Sequence, residues 1–96
     1  METIELAIDG RFTITLKGRG TAGYRWEFTV DDARFVQVER LIEQGDPGMG
    51  SVDERFVLTG LLAGETVVRF GQVRPFDKGK PPIATTEIQV RVHGAG

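Results

Sequence analysis

The sequence predicts an all-β protein, an antiparallel β-sandwich of about seven to eight strands in one domain. Three observations carry this reading. Apolar and polar residues alternate with a period of two through seven short stretches, the pattern of strands with one buried and one wet face. No stretch has a convincing helical period, and only residues 31–34 fit a single turn. The chain has 96 residues, enough to bury one core without metal or disulfide and too few for two. Seven such strands in that length are expected to form two packed sheets. Residues 1–93 are read as the domain and residues 94–96 as a flexible tail.

The strands follow one another in order. Ile4, Leu6 and Ile8 alternate with Glu5, Ala7 and Asp9, and Phe12, Ile14 and Leu16 alternate with Thr13, Thr15 and Lys17. Asp9-Gly10 between them is a hairpin signal. Tyr24, Trp26, Phe28 and Val30 form the third stretch, and Val36 and Val38 lead the fourth toward Leu41. Phe56 and Leu58 mark the fifth, Val68 and Phe70 the sixth, and Ile88, Val90 and Val92 the seventh. Gly71 inside the sixth predicts a bulge or a close backbone approach. The predicted core is Ile4, Leu6, Phe12, Ile14, Trp26, Phe28, Phe56, Phe70, Val90 and Val92.

Composition narrows the function classes. A formal charge of −2 with mixed signs and no basic stripe argues against nucleic acid as a partner. No apolar run approaches the length of a membrane span, so no membrane partner is expected. Cysteine is absent, which removes disulfides, thiolate chemistry and cysteine metal sites. The opening METIELAID has neither a basic n-region nor an apolar h-region. The expectation is therefore a cytoplasmic protein, or a periplasmic or secreted one whose signal has been trimmed.

The connections divide into two classes. The first, third and fifth are compact, whereas residues 18–23, 44–53 and 74–83 are longer and hold all 4 prolines and 7 of the 13 glycines. In an up-and-down sandwich, even-numbered connections share one end. Binding sites are commonly built from loops gathered on such a scaffold.

Individual candidates for chemistry are weak. The glycine-rich stretch at residues 18–23 opens a strand, whereas a phosphate loop opens a helix. His93 is the only histidine and reads as a solvated surface residue, leaving zinc too few ligands. Ser51, the only serine, has no nucleophile motif around it. Asp46, Asp53 and Glu54 read as solubilising carboxylates. No base, nucleophile or metal set converges, so no enzyme is predicted. Trp26 reads as core, Tyr24 as either packing or display, and Phe76 as either tucked under its loop or pointing outward as an anchor.

Three motifs in order do carry a resemblance. Arg19-Gly20-Thr21-Ala22-Gly23-Tyr24 precedes Trp26, Gly48-Met49-Gly50-Ser51 precedes Phe56, and Arg74-Pro75-Phe76 follows the sixth strand. The chain resembles the chagasin family of cysteine-protease inhibitors. Its members have an Asn-Pro-Thr-Thr-Gly-Tyr/Phe loop before a Trp-bearing strand, a Gly-x-Gly-Gly loop and an Arg-Pro-Trp loop. Thr21, Gly23, Tyr24, Gly48, Gly50, Arg74 and Pro75 match the family residue types, and Phe76 stands for Trp. Arg19, Gly20 and Ala22 depart from the first motif, and Ser51 replaces the second glycine of the pair. Gly20 loosens a loop that proline would stiffen, which raises the entropic cost of binding.

The resemblance implies an immunoglobulin-like sandwich that reversibly and competitively inhibits papain-like cysteine proteases. Three loops at one end would plug the active-site cleft, with Arg19, Gly20, Thr21, Ala22, Gly23, Tyr24, Gly48, Met49, Gly50, Ser51, Arg74, Pro75 and Phe76 as the contact set. No cofactor is implied, and a monomer is expected. The alternatives are an immunoglobulin-like binding module that turns the same loops on another ligand, and a structural domain of a larger chain.

Overall fold

The computed structural model describes residues 2–18, 24–41, 53–74 and 79–94. Seven strands follow the alternation: β1 (Glu2–Ala7), β2 (Arg11–Leu16), β3 (Arg25–Val30), β4 (Val36–Leu41), β5 (Glu54–Gly60), β6 (Gly64–Val73) and β7 (Ala84–His93). They form a four-stranded sheet, β1-β7-β6-β3, and a three-stranded sheet, β2-β5-β4. Among the described residues there is no helix; the expected turn is there, with the Phe35 amide donating to the Asp32 carbonyl.

The inner faces supply the core. Alternate residues point inward along each strand, so β5 buries Phe56 and Leu58, β6 buries Val68 and Phe70, and β7 buries Ile88, Val90 and Val92. Three phenylalanines meet between the sheets. Phe28 and Phe70 come from one sheet and Phe56 from the other, with centroids 5.1–6.4 Å apart and tilted or edge-on rings. Such pairs add about 0.5–1.5 kcal/mol each beyond their buried area. Ile14 and Phe28 are half-buried against this cluster.

Several expectations need correction. Phe12 is not core but 39% exposed, because it opens β2, an edge strand with no neighbouring strand on one side among the described residues. Asp9-Gly10 makes the predicted tight turn, with the Gly10 amide donating to the Ala7 carbonyl at 2.8 Å. Asp9 takes the left-handed conformation, φ 66°, which Asp tolerates better than most residues. Yet β1 and β2 are not a hairpin. The turn docks on the end of β5, the Asp9 amide donating to Gly60 O and the Gly60 amide to Gly10 O. This sends β2 along β5 in the second sheet, while β1 stays beside β7. The β1–β7 pair is parallel, and the other four ladders are antiparallel. The parallel pair is therefore the exception in an otherwise antiparallel sandwich. Gly71 carries no bulge, since the registers on both sides of it run unbroken. It is the close approach: a Cβ there would sit 3.0 Å from the Pro82 ring.

Candidate functional site

The strand ends decide where the long connections are rooted. In the four-stranded sheet Arg25 lies opposite Val73 and Gln72 opposite Ala84, so the start of β3, the end of β6 and the start of β7 share one end. In the three-stranded sheet Leu16 lies opposite Glu54 and Leu41 opposite Arg55, which gathers the ends of β2 and β4 with the start of β5. Hydrogen bonds between the sheets put these two ends at the same pole. The Trp26 indole N–H donates to Lys17 O at 3.0 Å, the Trp26 amide donates to Glu54 Oε2 at 3.0 Å, and Gln72 Nε2 donates to Lys17 O at 3.4 Å. The three glycine- and proline-rich connections therefore all leave from one pole, as the even-numbered order requires. The compact connections meet at the other, where the Leu61 amide donates to Phe35 O and the Phe35 ring covers Gly64.

Of the contact set expected from sequence, the structure describes Tyr24 and Arg74. They are brought together, the Arg74 guanidinium lying 5.5 Å from the centre of the Tyr24 ring. Both are half-buried, so Tyr24 serves partly as packing for its neighbour. Arginine over an aromatic face is held by the ring's negative quadrupole. They line a small cleft of about 50 Å³ with Val73, Lys80, Pro81 and Ile83. Arg19, Gly20, Thr21, Ala22, Gly23, Gly48, Met49, Gly50, Ser51, Pro75 and Phe76 lie outside the described residues.

Beneath this surface is a polar cluster that the sequence reading missed. Trp26 is buried, as expected. Its carbonyl accepts from Arg40 Nη2, and Arg40 Nη1 is ion-paired with Glu54 Oε1. The Arg40 guanidinium also lies 4.9 Å from the centre of the Phe56 ring. Side-chain exposure is 27% for Arg40 and 19% for Glu54, so the pair is sheltered from water and from salt. Glu54 is thus a structural anion, not the solubilising carboxylate expected, whereas Asp53 beside it is exposed. Gln72 is 3% exposed. The signal was present in the phase of the alternation. Arg40 continues the inward series Val36–Val38, Glu54 precedes Phe56–Leu58, and Gln72 follows Val68–Phe70. A polar residue on an inward beat needs a partner.

His93 sits at the far pole, exposed, with Nε2 2.9 Å from Glu5 Oε1. Among the described residues no three His, Cys, Asp or Glu side chains gather in a way that would hold a metal ion.

Comparison with known proteins gives the following. The family model described as Chagasin family peptidase inhibitor I42 matches residues 5–90. No curated protein matches the sequence. The structure of the cysteine protease inhibitor EhICP2 from Entamoeba histolytica is similar over 95% of this chain and 85% of its own, with a TM-score of 0.78 and 23% identity. Amebosin is similar over 95% of this chain and 88% of its own, with a TM-score of 0.71 and 26% identity. PbICP-C, solved in complex with falcipain-2, covers 98% of this chain and 88% of its own, with a TM-score of 0.62 and 18% identity.

Proposed function

The chain belongs to the chagasin family of peptidase inhibitors, and on that premise we propose that it reversibly and competitively inhibits papain-like cysteine proteases. The observation that carries the proposal is the common root of the three motif-bearing connections at one pole, on a sandwich whose other pole has only tight turns. The structural neighbour named as a cysteine protease inhibitor, and the one solved with falcipain-2, support the choice of target class.

The mechanism is occlusion. The stretch Arg19–Tyr24 enters the cleft, where Gly20 and Gly23 let backbone pass without side-chain obstruction. Gly48–Ser51 lies against one flank and Arg74–Phe76 against the other, with Phe76 as an apolar anchor of the kind that dominates interface energetics. Tyr24 and Arg74 form the step between the first and third loops. In this reading the inhibitor offers no bond for cleavage, and no group on it reacts. Affinity comes from the fit of the three loops to the cleft, less the entropic cost of ordering a first loop that Gly20 loosens. The protein acts as a monomer without a cofactor.

A titration against papain and a cathepsin-L-like enzyme tests this. The expected result is an increase in apparent KM at unchanged kcat, full recovery on dilution, and an inhibitor still intact by mass spectrometry. Unrelated serine proteases should be unaffected. No inhibition at micromolar protein across several papain-like enzymes would favour a binding module that turns the same loops on another ligand. Rapid cleavage between Gly18 and Tyr24 would make the protein a substrate.

A further inference from the structure

We propose that Arg40, Glu54 and Gln72 are positioning residues, which set the arrangement of the three connections through Trp26 and the Lys17 carbonyl it binds, without touching the protease. This rests on the reading of that pole as the inhibitory surface.

Trp26 has three polar groups, and each is taken by a different segment. Its amide donates to Glu54, the first residue of β5; its carbonyl accepts from Arg40, near the end of β4; its indole N–H donates to Lys17, the first residue after β2. Gln72, the penultimate residue of β6, donates to the same Lys17 carbonyl. Trp26 therefore joins the roots of the first two connections, and the Lys17 carbonyl it shares with Gln72 ties in the third. Trp26 lies on β3, the edge of its sheet, where backbone groups on the outer side have no strand partner among the described residues. Side chains from the other sheet cap that edge at the loop pole.

The sandwich does not need charge there to hold together. The Phe28–Phe56–Phe70 contact already joins the sheets, and a sheltered ion pair is commonly no more stable than apolar residues of similar size. Directional bonds supply geometry instead. The exposed pairs of Arg69 with Asp31 and Glu87 lie on the outside of one sheet and cross to nothing. For an inhibitor, geometry becomes affinity: if only a tenth of the molecules hold the competent arrangement, apparent Kd rises about tenfold.

Three variants test the proposal. Glu54→Gln keeps the volume and an acceptor for the Trp26 amide but loses the charge that holds Arg40. Gln72→Leu keeps the volume and removes the donor to Lys17. Asp31→Asn, at the other pole, is the control. Each is measured for cooperative unfolding, for the inhibition constant against papain well below the melt, and for amide hydrogen exchange across residues 17–25, 41–54 and 73–84. Positioning predicts cooperative unfolding, an inhibition constant raised by about tenfold or more in Glu54→Gln and Gln72→Leu, and faster exchange in all three segments from either change. Asp31→Asn should alter neither inhibition nor exchange there. The proposal is overturned if both variants keep inhibition within about twofold of wild type, or if faster exchange stays confined to the substituted strand. If the wild type inhibits no papain-like protease, the inhibitory reading fails, and the exchange data still decide whether the network positions the loops.

Discussion

Trp26 contributes in two separable ways, as apolar volume in the core and as a donor to Lys17 O. Trp26→Ala removes both and should lower unfolding stability by about 3–5 kcal/mol. Trp26→Phe retains most of the apolar burial and loses the indole hydrogen bond, for about 1 kcal/mol, since Gln72 still donates to that carbonyl. Denaturant melts measure both. Phe76 gives the contrasting case. If it is the surface anchor proposed above, its replacement by Ala should weaken protease binding by about 1–3 kcal/mol while stability stays within about 0.5 kcal/mol. Thr21→Glu should likewise block entry to a narrow cleft through a buried unpaired charge, costing several kcal/mol of affinity, with stability unchanged. Binding titrations and melts on the same variants decide the matter. If Phe76→Ala destabilises like Trp26→Ala, the third loop packs inward and does not belong to the binding surface.

At the scale of the strand, alternation identified the elements and most inward residues, because a half-buried strand must repeat every two residues. It did not identify partners. Whether β1 pairs with β2 or with β7 depends on contacts far apart in sequence: the Asp9-Gly10 turn was legible, whereas its docking on Gly60 was not. Phe12 failed for a related reason. Its phase was right, but phase does not distinguish an edge strand from a central one. The two strands give a direct comparison, because Phe12 is paired opposite Leu58 on β2's edge while Phe56 is fully buried on central β5. Phe56→Ala should cost about 3–5 kcal/mol, and Phe12→Ala about 1 kcal/mol or less, both read from denaturant midpoints. Equal losses would mean that Phe12 is core after all. Arg40, Glu54 and Gln72 were misread or passed over for the opposite reason. Their inward phase was visible, but their partners belong to other strands, and a single strand's sequence does not disclose them.

Over the whole molecule, the two poles differ in construction. The parity of the connections was legible from strand order alone, and the strand ends meet as parity requires. The loop pole is held by a sheltered polar network, and the far pole by exposed ion pairs and tight turns. This difference predicts how acid acts on the protein. Hydrogen bonds from Arg69 hold the Asp31 carboxyl below its ordinary value, and hydrogen bonds from the Arg34 side chain and amide do the same for Asp32. A carboxyl whose folded value is depressed contributes stability that is fully present above its unfolded value, about 3.9. That contribution is lost as pH falls through the lower folded value, because the unfolded chain takes up the proton first. Denaturant midpoints should therefore stay level from neutral pH to about 5 and decline below about 4. The Asp31→Asn/Asp32→Asn double variant should decline less steeply in that window. Both pairs are exposed, so the difference should shrink as salt is added. Inhibition by the double variant at neutral pH should match wild type, because neither residue lies at the loop pole. A double variant with the wild-type acid slope would remove these carboxylates as its cause. One that lost inhibition would show that the two poles are not independent.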